Sequence, residues 1–153
     1  MNEHRLRRLC RIPRQDARMT RYVIGPDVAL RLAHMEAVVP APHQLLAPTL
    51  LRSQVLAQLY GSVRRGELDR KAAERRLDYL RGLQLRLLGD RVLQRAAWKI
   101  ADQLGWPDTF VAEYIALTQL QADALVCMDP ELLREVSGIV VVASVDDLID
   151  GSA

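Results

Sequence analysis

Cysteine is scarce in this chain, and the two thiols, Cys10 and Cys127, have neither metal-ligand nor redox spacing. That excludes a disulfide framework and a zinc ribbon, and it fits a reducing, cytoplasmic setting. Histidine is almost as rare. His4, His34 and His43 form no i,i+4 pair and no zinc pattern, which argues against a metal–imidazole site. Lysine occurs only twice against nineteen arginines, the codon bias of a GC-rich bacterial genome. No apolar run approaches the roughly 20 residues needed to span a bilayer. The opening "MNEHRLRRLCRIPRQDAR" lacks the hydrophobic stretch of a secretory signal. Internal repeats are absent, as are low-complexity segments beyond that tail.

What is present suits one soluble domain with one core: 153 residues, half of them apolar and a quarter charged. The net charge of +2 hides an asymmetry, because residues 1–21 hold seven arginines against two acids. The remainder is mildly acidic and is no generic polyanion binder. Residues 1–18 read as a basic N-terminal extension, expected to be disordered. Two further readings stay open for it: an arm that touches RNA, and an untranslated stretch before a start at Met19. The ordered domain is expected over 19–148.

Along that domain, "RYVIG" (21–25) is a buried strand stopped by Gly25-Pro26. "DVALRLAHME" restarts as a helix with Asp27 as N-cap. Three prolines in "VPAPHQLLAP" mark a loop with a brief strand at Gln44–Leu46. Thr49 is placed to cap a helix whose Leu51, Val55, Leu59 and Val63 recur every four residues. A second amphipathic helix follows over 67–83, then a strand at "QLRLLG". Either helix stripe could also serve a dimer seam. On the 67–83 helix, Arg70, Arg75, Arg76 and Arg81 alternate with Glu67, Glu74 and Asp78, as a salt-bridged solvent face does. Asp90 caps "RVLQRAAWKIADQLGW", with Val92, Ala96, Ile100 and Leu104 as its apolar stripe and Trp98 beside it as core. Trp106 reads as a loop anchor or a base-stacking platform. Pro107-Asp108 starts the next helix, "ALVCM" is a strand, "PELLREVS" a short helix and "IVVVAS" the last strand. This alternation predicts an α/β domain with a parallel sheet covered on both faces.

In open α/β sheets, ligands bind beyond the carboxyl ends of the strands where strand order reverses. Asp27 and Asp129 each follow a strand, so neighbouring strands would bring both carboxylates to one crevice. Oxygen ligands of this kind suit Mg²⁺ or Mn²⁺ and phosphodiester chemistry. Each aspartate also reads as a helix N-cap, and one residue can serve both purposes.

The segments "RYVIGPDVALRLA", "LLAPTLLRSQVLAQLY", "RLLGDRVLQRAAWKIADQLG" and, above all, "DTFVAEYIALTQLQADALVCMD" resemble a PIN domain of the VapC-like toxin type, over about Met19 to Leu148. The resemblance implies a three-layer α/β/α sandwich with a central, mainly parallel sheet of four or five strands. It also implies a metal-dependent endoribonuclease, an RNA substrate, a cognate antitoxin protein and a homodimer. The family pattern has four acids. The first falls at Gly25, where it is missing, and Asp27 takes the seat of a common Ser or Thr. Residues two apart in an extended segment face the same way, so Asp27 can reach the pocket. The second is matched by Gln54, which keeps an oxygen but no charge. The third falls at Val111 and the fourth is matched by Asp129. At about 100° per helical residue, Glu113 points roughly 160° away from Val111 and Asp108 only about 60°, so Asp108 is the better substitute. Core packing is the plainer reading of Val111, since valine is so often buried. The expected catalytic set is Asp27, Asp129, Gln54 and Asp108, with Asp27, Asp129 and Asp108 holding Mg²⁺ or Mn²⁺. The competing expectation is a degenerate PIN fold that binds RNA or a protein without cutting.

Overall fold

The computed structural model describes residues 19–149. The extension 1–18, and with it His4 and Cys10, lies outside the described residues. In chain order the elements are β1 (Arg21–Ile24), α1 (Pro26–Met35), β2 (Gln44–Pro48), α2 (Leu50–Arg64), α3 (Arg70–Gly82), β3 (Leu85–Leu88), α4 (Arg91–Leu104), α5 (Phe110–Gln121), β4 (Ala124–Val126), α6 (Pro130–Val136), β5 (Val142–Ala143) and α7 (Val145–Ile149). All five strands are parallel, in the order β3-β2-β1-β4-β5, and helices cover the sheet to make a three-layer α/β/α sandwich.

The strand sequences explain their places. Tyr22, Val23 and Ile24 of β1 are buried in succession, as are all three residues of β4. Such unbroken apolar runs belong to central strands covered on both faces. β3, with Arg86 between leucines, is half-exposed and forms one edge. The "IVVVAS" run contributes only Val142 and Ala143 to the other edge. Burying a side chain such as Ile24 or Leu32 completely stabilises the fold by about 1.5–3 kcal/mol each. α5 is buried almost all round, with Ala112 and Tyr114 to Thr118 inaccessible, and it packs on β1, β2 and β4. A helix without a polar face has to be a central one.

Several local expectations are corrected. Asp27 lies inside the first turn of α1; Gly25 is the N-cap and makes no side-chain cap bond. Thr49 stands at the N-cap of α2 but its side chain caps nothing; it packs against Gly89. α5 starts at Phe110, later than Pro107-Asp108, because the Asp108 carboxylate accepts a hydrogen bond from the Phe110 amide (3.1 Å) and holds the chain in a turn. The buried face of α4 is Leu93, Ala97, Ile100 and Ala101. Trp98 is not core but 70% exposed. A four-residue spacing drifts by about 40° per step, so a stripe started at Val92 begins outside the buried arc. The expected pairing on the arginine-rich helix α3 is met in part, through Arg70–Glu74 at 3.2 Å and Arg81–Asp78 at 2.8 Å, while Glu67 pairs with Arg65 and Arg76 meets His34.

Asp90 does cap α4, accepting from the Leu93 amide at 2.8 Å. Asp90→Ala is expected to cost about 1 kcal/mol and lower Tm by about 3 °C in a thermal melt. Thr49→Ala, at the same nominal position of α2, is expected to cost less because no cap bond is lost.

Candidate functional site at the strand-order switch

From β1 the chain builds outward to β2 and β3, then returns to add β4 and β5 on the other side. The reversal falls between β1 and β4, and it is there that parallel sheets open a crevice. Ile24 and Val126 are register partners at the ends of these two strands. Asp27 and Asp129 each stand three residues beyond one of them.

Both aspartates, with Gln54 of α2 and Val111 and Tyr114 of α5, line one cavity of about 310 Å³. A second cavity of about 290 Å³ shares Val111 and Asp129 and adds Trp106, Asp108, Glu131 and Glu135. The structure therefore brings Asp27, Gln54 and Asp129 together, and places Asp108 next door. Glu113 lines neither cavity. Larger hollows of about 490 and 550 Å³ lie elsewhere, one with a single acid (Asp78, paired to Arg81) and one with none. Size points to those, but a pair of carboxylates points to the switch.

Asp129 has two duties. Its Oδ1 accepts from the Glu131 amide at 3.0 Å as the N-cap of α6, which leaves Oδ2 for the cavity. The Asp27 carboxylate stands beside Gly25. A Cβ added at Gly25 would come within 3.0 Å of the Asp27 Oδ1, so this carboxylate occupies the space into which a side chain at 25 would project. The glycine leaves that space open and the aspartate two residues on fills it.

The expected core role of Val111 is corrected: it is 38% exposed and faces both cavities. Its neighbours in the helix, Ala112 and Ile115, are the buried ones.

Two residues beyond the expected set also line the first cavity. The Tyr114 hydroxyl donates to Gln54 Oε1 at 2.5 Å, tying α5 to α2. Burial, then the charges of Glu113 and Asp27, push the Tyr114 phenol well above its ordinary value. Cys127, two residues before Asp129, lines the cavity with both aspartates, and burial, with the charges of Asp27 and Asp129 adding to it, pushes its thiol up as well. A neutral thiol among carboxylates is no nucleophile. Sequence offered a signal only for Tyr114, one helical turn after Val111.

The phenol's raised value makes alkaline stability a readout of this contact. A group whose folded-state value is raised contributes stability that is present below its unfolded value, about 10 for tyrosine, and is lost as pH rises above it. Tyr114→Phe is expected to lower stability at pH 7 by about 1 kcal/mol, through the lost bond to Gln54. Above pH 10 the variant should lose stability less steeply than wild type in denaturant titrations, although Tyr22 and Tyr79, also raised by burial, retain part of the slope.

Neither a protein-family model nor a curated protein sequence matches this chain. Among solved structures it is similar to PAE2754 from Pyrobaculum aerophilum, with a TM-score of 0.68 and 23% identity over 88% of this chain and 96% of that one. At that identity the likeness is one of fold.

Proposed function

We propose that this chain is a PIN-like, VapC-like endoribonuclease that depends on Mg²⁺ or Mn²⁺ and works with a reduced set of acids. One observation carries the reading: Asp27 and Asp129 follow register-paired strand ends on either side of the switch and line the same cavity. Magnesium is commonly held by one or two carboxylates together with substrate phosphate, so two aspartates fit it, though weakly. Asp27 and Asp129 would hold the ion, and Asp108 could join only through the oxygen not used by Phe110. When bound, such an ion supplies Lewis acidity toward a phosphoryl oxygen.

The chain's own groups supply the rest. Asp129 would turn Oδ2 to the ion while Oδ1 stays on the Glu131 amide, so the α6 cap fixes the orientation of the ligand. Gln54, its Oε1 engaged by Tyr114, offers amide N–H donors to a phosphate oxygen, the reverse of what a glutamate would do there. With this reading come a protein antitoxin and a homodimer, for which exposed Leu56 and Tyr60 on α2 offer an apolar face.

A second reading is favoured by Val111. With valine in the cavity, no group of three or more His, Cys, Asp or Glu side chains among the described residues is placed to hold a metal ion. The protein would then bind RNA or a partner without cutting. Cleavage of a fluorogenic single-stranded RNA decides between them. Metal-dependent turnover that falls at least about 100-fold in Asp129→Asn supports the nuclease, on the scale expected for a group acting on the reacting atoms. Wild type that binds the RNA but leaves it intact at any Mn²⁺ concentration supports the second reading.

A further inference from the structure

We propose that the outward face of α4 is a docking track for single-stranded RNA, with Trp98 as its stacking platform. The choice of RNA over DNA rests on the reading above; the track itself rests on α4.

Leu93, Ala97, Ile100 and Ala101 fix the buried side of this helix. At 100° per residue, Arg91, Arg95, Trp98 and Lys99 fall on the opposite side. All four are exposed, and the three cations follow one another at i, i+4 and i+8. Their environment differs from that of the basic helix α3. There, Arg70 and Arg81 are neutralised by Glu74 and Asp78 and Arg76 meets His34, which leaves Lys71 and Arg75 without an acidic partner among the described residues. On α4 no ion pair or side-chain hydrogen bond within the described residues engages Arg91, Arg95 or Lys99. Asp102 is the one acid on this face, and it stands in the last turn.

A row of cations without an acidic partner among the described residues selects a polyanion, and the indole selects among polyanions. Trp98 is 70% exposed. Its flat face has no use on a duplex, whose bases are already stacked, but suits a strand with unstacked bases. The track also leads somewhere. The other side of α4 packs along α5, whose Val111 and Tyr114 line the carboxylate cavity, so the track approaches that region past the C-terminal end of α4. The turn after α4 carries Trp106 and Asp108 into the adjoining one. Six residues, or about 9 Å of helix, separate Trp98 from the last residue of α4.

The chain has two tryptophans, so Trp106→Phe leaves the Trp98 indole as sole reporter. Titrated in EDTA with a uridine-rich single-stranded RNA of twelve nucleotides, its emission is expected to quench on binding. Trp98→Ala should weaken binding of the same RNA, labelled with fluorescein and read by anisotropy, about tenfold, and Trp98→Phe should restore most of it. Arg91→Ala, Arg95→Ala and Lys99→Ala should each lower the slope of log K against log salt by about 0.7, while Arg70→Ala on α3 leaves it unchanged. Quenching without any cleavage in Mn²⁺ would sink the nuclease and keep the track. Cleavage with unchanged Trp98 emission and an unaltered salt slope would overturn the track and keep the nuclease. An emission shift that follows protein dilution in the absence of RNA would also overturn it, by showing that a second copy of the chain covers Trp98.

Discussion

Val111→Asp is expected to tighten Mn²⁺ binding at least about tenfold, worth about 1.4 kcal/mol, and to raise metal-dependent RNA cleavage. The side chain at 111 faces Asp27 and Gln54 in one cavity and Asp108 in the other, with Asp129 common to both. Affinity at oxygen sites follows the number of charged ligands, so a third carboxylate has a large effect. Without metal the added charge stands near those of Asp27, Asp108 and Asp129, which repel it. The variant is then expected to lose about 1 kcal/mol, the low end for a disruptive polar change, because a side chain 38% exposed can still reach water. A hundredfold excess of Mn²⁺ over its Kd should return about 2.7 kcal/mol by linkage and so reverse the deficit. Calorimetry and thermal melts with and without Mn²⁺ report both effects. A variant that ignores the ion altogether would remove Val111 from the metal-binding argument and with it the match of "TFVAEY" to an acid position.

The second large effect concerns Gly25 and Asp27. Gly25 has extended backbone, φ −88°, which any residue adopts, so only space and charge oppose a side chain there. That space is filled by the Asp27 carboxylate, 3.0 Å from a Cβ at 25. Gly25→Asp is therefore expected to destabilise the metal-free protein by about 1–2 kcal/mol, and Asp27→Ser alone to abolish the Mn²⁺ response. In the double variant the carboxylate emerges from residue 25 with no rival. The stability penalty should shrink to a few tenths and the Mn²⁺ response should return. The coupling, in the range of about 0.5–3 kcal/mol found for touching residues, is the quantity to measure by denaturant titration. Strict additivity would mean that the two side chains do not compete for one place.

Much of the frame was legible in the sequence because it follows from local rules. Unbroken apolar runs at 22–24 and 124–126 dictate covered parallel strands. The Asp90 cap, the Leu51–Val55–Leu59 stripe and the paired charges of α3 are interactions between residues close in the chain, and they form as the pattern predicts. The placement of two aspartates just past strand ends was equally local. The sequence by itself thus determined the class of fold, the order of its elements and which acids follow strands. Tertiary structure decided what those acids meet. Only strand order makes β1 and β4 neighbours and turns two separate strand ends into one crevice. Only the docking of α2 against α5 brings the Tyr114 hydroxyl to Gln54, sixty residues away. Val111 and Trp98 went the other way from propensity. Both are apolar side chains that local pattern consigns to a core, and both stand exposed, because burial is set by which side of a helix its neighbours cover and no residue carries that information alone.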